Sequence, residues 1–154
     1  MKTKDRKSAR AKHARKWQAD RNSAGAVIAR VKPFNEAEQA QLQIPVYQAM
    51  QALLNGTAED RHMGVLFTIS AACAILGEQA GPLCVDVAMA AQHALCRAEA
   101  RFIKTGRFGL DGEGKTALED CIEYHNELLA VCTPIQMMDA IEEAGRRTTE
   151  RKAA

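Results

Sequence analysis

Nowhere in this chain do apolar and polar residues alternate strictly, so the period-of-two signal of a β-sheet is missing. No CxxC pair occurs among Cys73, Cys84, Cys96, Cys121 and Cys132, and the set is odd. Each cysteine sits among apolar helix residues, where the thiol acts as a small hydrophobe, so disulfides are not expected and a reducing compartment is. The uncharged apolar run from His62 to Gly77 is 16 residues long, shorter than a spanning helix needs. The first 25 residues carry charge with no apolar run behind it, unlike a secretory signal. These absences point to a cytoplasmic protein with no membrane association. At 154 residues, 47% apolar and 26% charged, the chain has the balance of one globular domain rather than of a disordered one.

Charge is distributed unevenly. Residues 1–32 hold eleven Lys/Arg against Asp5 and Asp20, a net of +9, whereas the remaining 122 residues hold 10 basic and 17 acidic side chains, a net of −7. Trp17 is the only large apolar residue before Val27, so the stretch from Lys2 to Arg21 buries too little surface to offset its ordering entropy. Its Ala, Lys, Arg and Gln content favours a helix on contact with a partner. Three targets fit such an arm: phosphates, bound through counterion release; solvent; and the acidic body of its own or a neighbouring chain. Arg6, Lys7, Arg10, Arg15 and Lys16 are the candidate partner-binding or phosphate-binding residues, and Trp17 among them can stack on a base, fill a partner pocket or dock the arm. A mitochondrial presequence needs an apolar stripe that Ala9, Ala11 and Ala14 do not make.

Behind the arm, 28 alanines and a three-to-four residue apolar rhythm predict an all-α fold, an antiparallel bundle of four or five helices. Asn35 with Glu38 forms a capping box, and Leu42, Val46, Ala49, Met50 and Leu53 keep one apolar face as far as Asn55-Gly56, with Pro45 on the opposite side as a kink or restart. Thr57 with Asp60 repeats the capping pattern. The next helix, to about Gln79, is apolar on all faces and is expected to be central and covered nearly all round. Gly81-Pro82 breaks the chain before a third helix that ends at Lys104 with Gly106 behind it. Its wet side carries Asp86, His93, Arg97, Arg101 and Lys104. A fourth helix, about Glu113 to Val131, buries Leu118, Cys121, Ile122, His125, Leu128 and Leu129 and exposes Glu119, Asp120, Glu123 and Glu127. Thr133-Pro134 with Gln136 starts a fifth, with Ile135, Met138 and Ile141 facing inward. The chain thus divides into a basic arm (1–32), a helical bundle (33–147) and a charged tail (148–154).

Two motifs invite a chemical reading. Gly109-Leu110-Asp111-Gly112-Glu113-Gly114-Lys115-Thr116 matches the phosphate-loop pattern G-x-x-x-x-G-K-[ST] letter for letter. That loop works between a strand and a helix, whereas here a helix precedes it and Asp111 and Glu113 would set negative charge beside the phosphates. A glycine-rich connector is the better reading, with Phe108 and Leu110 packed on the core and Asp111 or a neighbour capping the next helix. Cys121 and His125, with His93 and Cys96, supply four zinc ligands on paper. Helical phase separates His93 from Cys96 by about 60° at ~100° per residue, with Cys96 toward Val85, Met89 and Ile103, so His125 reads as a buried histidine with one hydrogen bond. No catalytic set emerges, since Glu119, Glu123 and Glu127 are exposed and His62 has no carboxylate partner. No metal or other cofactor is called for.

The segments Val31-Lys32-Pro33-Phe34, Thr105-Gly106-Arg107-Phe108-Gly109-Leu110 and Thr133-Pro134-Ile135-Gln136-Met137 together resemble those of small helical proteins encoded by phages, prophages and plasmids of proteobacteria. The resemblance covers about Val31 to Arg147 and implies a bacterial mobile element as the setting, without an activity or a site. The expectation is a non-enzymatic interaction protein whose acidic bundle and basic arm bind a macromolecular partner, a protein ahead of a nucleic acid. Opposite charges on one chain also allow a homo-oligomer.

Overall fold

The computed structural model describes residues 32–154. Among these the fold is all-α, with helices α1 (Glu36–Leu54), α2 (Asp60–Ala80), α3 (Pro82–Thr105), α4 (Gly112–Val131) and α5 (Pro134–Ala153), and no strand. Local chemistry sets most boundaries. Asn35 Oδ1 accepts from the Glu38 N–H at 2.9 Å while Glu38 Oε2 accepts from the Asn35 N–H at 2.8 Å, a reciprocal cap. Thr133 and Gln136 repeat it ahead of α5. Gly81 (φ +130°) alone joins α2 to α3, and Gly106 (φ +73°) closes α3 in the left-handed region that glycine occupies without strain.

The start of α2 differs from the expectation. Thr57 closes α1 instead, its hydroxyl and its N–H both donating to the Ala52 carbonyl. The cap is Glu59, whose N–H donates to His62 Nδ1 at 2.9 Å, so His62 serves the helix start. Helix α1 runs without interruption through Pro45, which lies on its exposed side.

Helix α2 is central and packs against all four others. Leu53, Leu66, Leu95, Leu118 and Leu129 are fully buried around it, each worth about 1.5–3 kcal/mol of burial. Ser70 is equally buried, and its hydroxyl is satisfied by donation to the Phe67 carbonyl at 3.0 Å. Gly77 permits the close α2–α3 approach, since a Cβ there would sit 3.2 Å from the backbone and Cβ of Cys84. By length and composition α2 is also apolar enough to cross a membrane, which its 16-residue uncharged run did not suggest.

Two further expectations are corrected. Helix α2 is not covered all round: Arg61, Gly64 and Thr68 are exposed, with Val65, Phe67 and Ala71 half-buried beside them. In α5 the inward residues are Met137 and Ala140, while Met138 and Ile141 are each 40% exposed and Ile135 is half-buried. Residues 148–153 continue α5 as helix. Small Ala140 and half-buried Ala144 let α5 lie close to α2, and an ion-pair cluster fixes its rotation. Arg147 pairs with Glu78 of α2 and, at 2.7 Å, with Glu143, which also takes Arg146 at 2.7 Å. Arg146 and then Arg147 hold the Glu143 carboxyl down at about 2.

Candidate interaction groove

The uncovered stripe of α2 is the floor of a groove of about 440 Å³. Leu42, Pro45 and Val46 of α1 form one wall, and Met137 and Ile141 of α5 form the other. Ile69 and Ala72 of α2 and Leu129 and His125 of α4 complete the base. The volume falls within the range of small-molecule and side-chain pockets, roughly 300–1,000 Å³. Thr68 belongs to this apolar surface because its hydroxyl donates to the Gly64 carbonyl of the preceding turn at 2.8 Å, which satisfies its polar group on its own helix. A second hollow of about 270 Å³ shares Thr68 and Ile141 and extends the groove along Phe67, Ala71, Ala144 and Gly145. From Arg61 to Ala71 the stripe rises about 15 Å at 1.5 Å per residue, three turns of helix. Ile44, 54% exposed, and Met138 add uncovered apolar area on the two wall helices.

His125 is the polar exception in the base. It is 4% exposed, and its Nδ1 has no hydrogen-bond partner among the described residues, so the single hydrogen bond expected for it is absent at that nitrogen. Burial pushes its pKa below the ordinary imidazole value, opposed by the adjacent Asn126 side chain, and the ring is neutral near pH 7. Asn126 Nδ2 donates to the Tyr47 hydroxyl at 2.8 Å and ties α4 to α1. The Asn126 Oδ1 is buried and has no hydrogen-bond partner among the described residues.

The phosphate-loop letters fall on a helix start. Asp111 Oδ1 accepts from the Gly114 N–H at 2.6 Å and Oδ2 from Arg97 Nε at 3.3 Å, and the two donors, Gly114 first, hold its carboxyl below the usual range. The anion at the N-terminus of α4 is therefore the chain's own Asp111. Lys115 lies 3.7 Å from Glu119 on the same helix. Gly114 has a packing reason to be glycine: a Cβ would stand 2.9 Å from Asp111 Oδ1 and 3.2 Å from Ala94 Cβ of α3. Phe108 is buried and stacks on Phe102 with ring centroids 4.3 Å apart, and Leu110 packs against the core, as a connector requires.

The four proposed zinc ligands are not brought together. Cys121 and His125 are buried in α4, whereas His93 and Cys96 are exposed on α3. Cys96 does not point into the apolar interior, and the Ile103 expected beside it is 84% exposed. Among the described residues no three His, Cys, Asp or Glu side chains gather as a metal site. All five cysteines are free. A hydrogen bond to Cys121, together with burial, pushes the Cys73 thiol up, so it packs as a neutral group.

On the outer side of α4, Glu119, Asp120, Glu123 and Glu127 are exposed, as expected. Asp120, Glu123 and Glu127 border a hollow of about 240 Å³ whose apolar residues are Leu83, Cys84 and Val87 of α3 and Tyr124 of α4. Arg6, Lys7, Arg10, Arg15, Lys16 and Trp17 lie outside the described residues. No protein-family model matches the chain, and neither a curated protein nor a solved structure does.

Sequence reasoning missed the groove residues Pro45, Gly64 and Thr68. Its one sequence signal is the Arg61, Gly64, Thr68 spacing, a single non-aliphatic stripe at helical period through an otherwise apolar helix.

Proposed function

We propose that this protein is a non-enzymatic interaction protein that takes an amphipathic helix of a protein partner into the groove between α1, α2 and α5. The apolar groove over the central helix carries this reading. A helix that would ordinarily be covered by neighbours leaves a three-turn stripe open, and helix-in-groove recognition uses apolar side chains one turn apart along such a surface. Contiguous exposed apolar area on a globular domain marks interaction sites. The basic arm adds charge-steered encounter, and the setting is the cytoplasm of a bacterium carrying a mobile element.

The test is affinity capture from bacterial lysate with the full-length protein, wild type and Thr68→Arg in parallel, at low and high salt. A polypeptide held by the wild type at both salt levels and depleted about tenfold by Thr68→Arg supports the reading, a tenfold loss being about 1.4 kcal/mol. Identical capture by both proteins would overturn it. Nucleic acid released by salt, and lost on deleting residues 1–22, would instead assign the binding to Arg6, Lys7, Arg10, Arg15, Lys16 and Trp17 on phosphates and bases.

A further inference from the structure

We propose that the hollow between α3 and α4 is a docking site for the chain's own Trp17, with Arg15, Lys16 and Arg21 lying on the carboxylates of Asp120, Glu123 and Glu127. The hollow shares no residue with the groove, and the inference stands whether or not a partner uses that groove.

Its apolar part is uncovered to an unusual degree. Leu83 is 80% exposed, one turn from Val87 on the same helix, and the two, with half-buried Cys84, lie beside Tyr124, whose hydroxyl oxygen is buried. The carboxylates on its border follow helical spacing, with Asp120, Glu123 and Glu127 at intervals of three and four along α4, so all three share one stripe. Among the described residues none of them is in an ion pair, in contrast to Glu78, Glu119 and Glu143. The surface therefore combines an aliphatic hollow with three negative charges that no described cation answers.

The occupant is chosen by charge and by reach. Residues 1–32 carry +9 against −7 on the body, and within them the one aromatic residue is flanked by Arg15, Lys16 and Arg21. An indole fills an aliphatic hollow, burying about 150–250 Å², while its basic neighbours fall on the surrounding carboxylates. Trp17 is 15 residues before Lys32, where the described chain begins. Extended, that length spans about 50 Å at 3.3–3.6 Å per residue. A domain of this size has a radius of gyration of about 14 Å, so tether length does not keep Trp17 from this face. A tethered ligand also meets its site at high effective concentration, which favours the chain's own arm over one from solution.

Trp17 is the only tryptophan, so fluorescence of the full-length protein reads its surroundings directly, with N-acetyltryptophanamide as the solvated reference. The expected result at low salt is emission at shorter wavelength than the reference and acrylamide quenching several-fold weaker. Both should move to the reference in the triple variant Asp120→Lys, Glu123→Lys, Glu127→Lys and in Leu83→Asp, and move toward it as salt is raised. The equal charge change Glu99→Lys, Asp139→Lys, Glu142→Lys, at exposed carboxylates outside the hollow, should leave emission and quenching shifted, and circular dichroism should confirm that every variant folds. Wild-type emission and quenching equal to the reference would overturn the proposal. So would a response to the control variant as large as to the triple one, or a shift that grows with protein concentration, which would assign the hollow to a second copy's arm.

Discussion

Replacing either glycine at the start of α4 separates the connector account of residues 109–116 from the phosphate-loop account. Gly112 is the first residue of α4, and a Cβ there meets nothing within 4 Å. Alanine at that site reduces the freedom of the unfolded chain and suits a helix, a gain of about 0.4–1 kcal/mol. Gly114 is buried, and its added Cβ would stand 2.9 Å from Asp111 Oδ1, 3.2 Å from Ala94 Cβ and 3.4 Å from Leu110 Cδ2. The Asp111 carboxylate can turn away only by giving up its 2.6 Å cap to the Gly114 N–H, and Ala94, fixed in the body of α3, cannot turn. Overpacking of this kind costs about 1–3 kcal/mol, which outweighs the propensity gain at the same site. Urea unfolding followed by circular dichroism should place the Gly112→Ala midpoint at or above wild type and the Gly114→Ala midpoint below it, with unchanged slopes. A Gly114→Ala protein as stable as wild type would refute the packing argument, and a destabilised Gly112→Ala would refute the open geometry around that turn.

Acid should weaken the fold in two windows. Burial depresses the folded-state pKa of His125, so the unfolded chain takes this proton first, and stability should be lost as pH falls below the ordinary imidazole value of about 6.5. His125→Leu should flatten the urea midpoint between pH 6.5 and 5, and an unchanged slope would refute a buried neutral imidazole. The second window follows Glu143, whose stabilising charge is present above the ordinary carboxylate range and is lost as pH falls toward about 2. Lys115→Ala removes only an exposed 3.7 Å pair with Glu119, so the unfolding free energy should change by about a few tenths of a kcal/mol or less. Magnesium-dependent ATP binding by the wild type, lost in that variant, would reopen the nucleotide reading.

What the sequence disclosed was punctuation. Asn35-Glu38, Gly81-Pro82, Gly106 and Thr133-Gln136 act through their own backbone atoms and neighbours within a turn, so their effect does not depend on the rest of the fold. The acidic outer face of α4 was legible for a similar reason, since four carboxylates on one stripe have nowhere to go but solvent. Rotation and coverage were not legible. Helix α5 carries two apolar stripes, Ile135-Met138-Ile141 and Met137-Ala140-Ala144, and the choice between them rests on close packing against α2 and on the Arg147–Glu78 pair, 69 residues apart. The open stripe on α2 was hidden because a helix apolar on every side does not disclose how many neighbours it receives. Thr57 misled because the same hydroxyl that caps a helix start also closes the turn before it.

The most direct test of the groove as an interaction site is photo-crosslinking from its rim. A benzophenone amino acid in place of exposed Met138 on the α5 wall of the full-length protein, in bacterial lysate, should attach one polypeptide under light, and the same group at exposed position 130 on α4 should not. Absence of a crosslinked polypeptide at position 138, or the same product from both positions, would contradict the account.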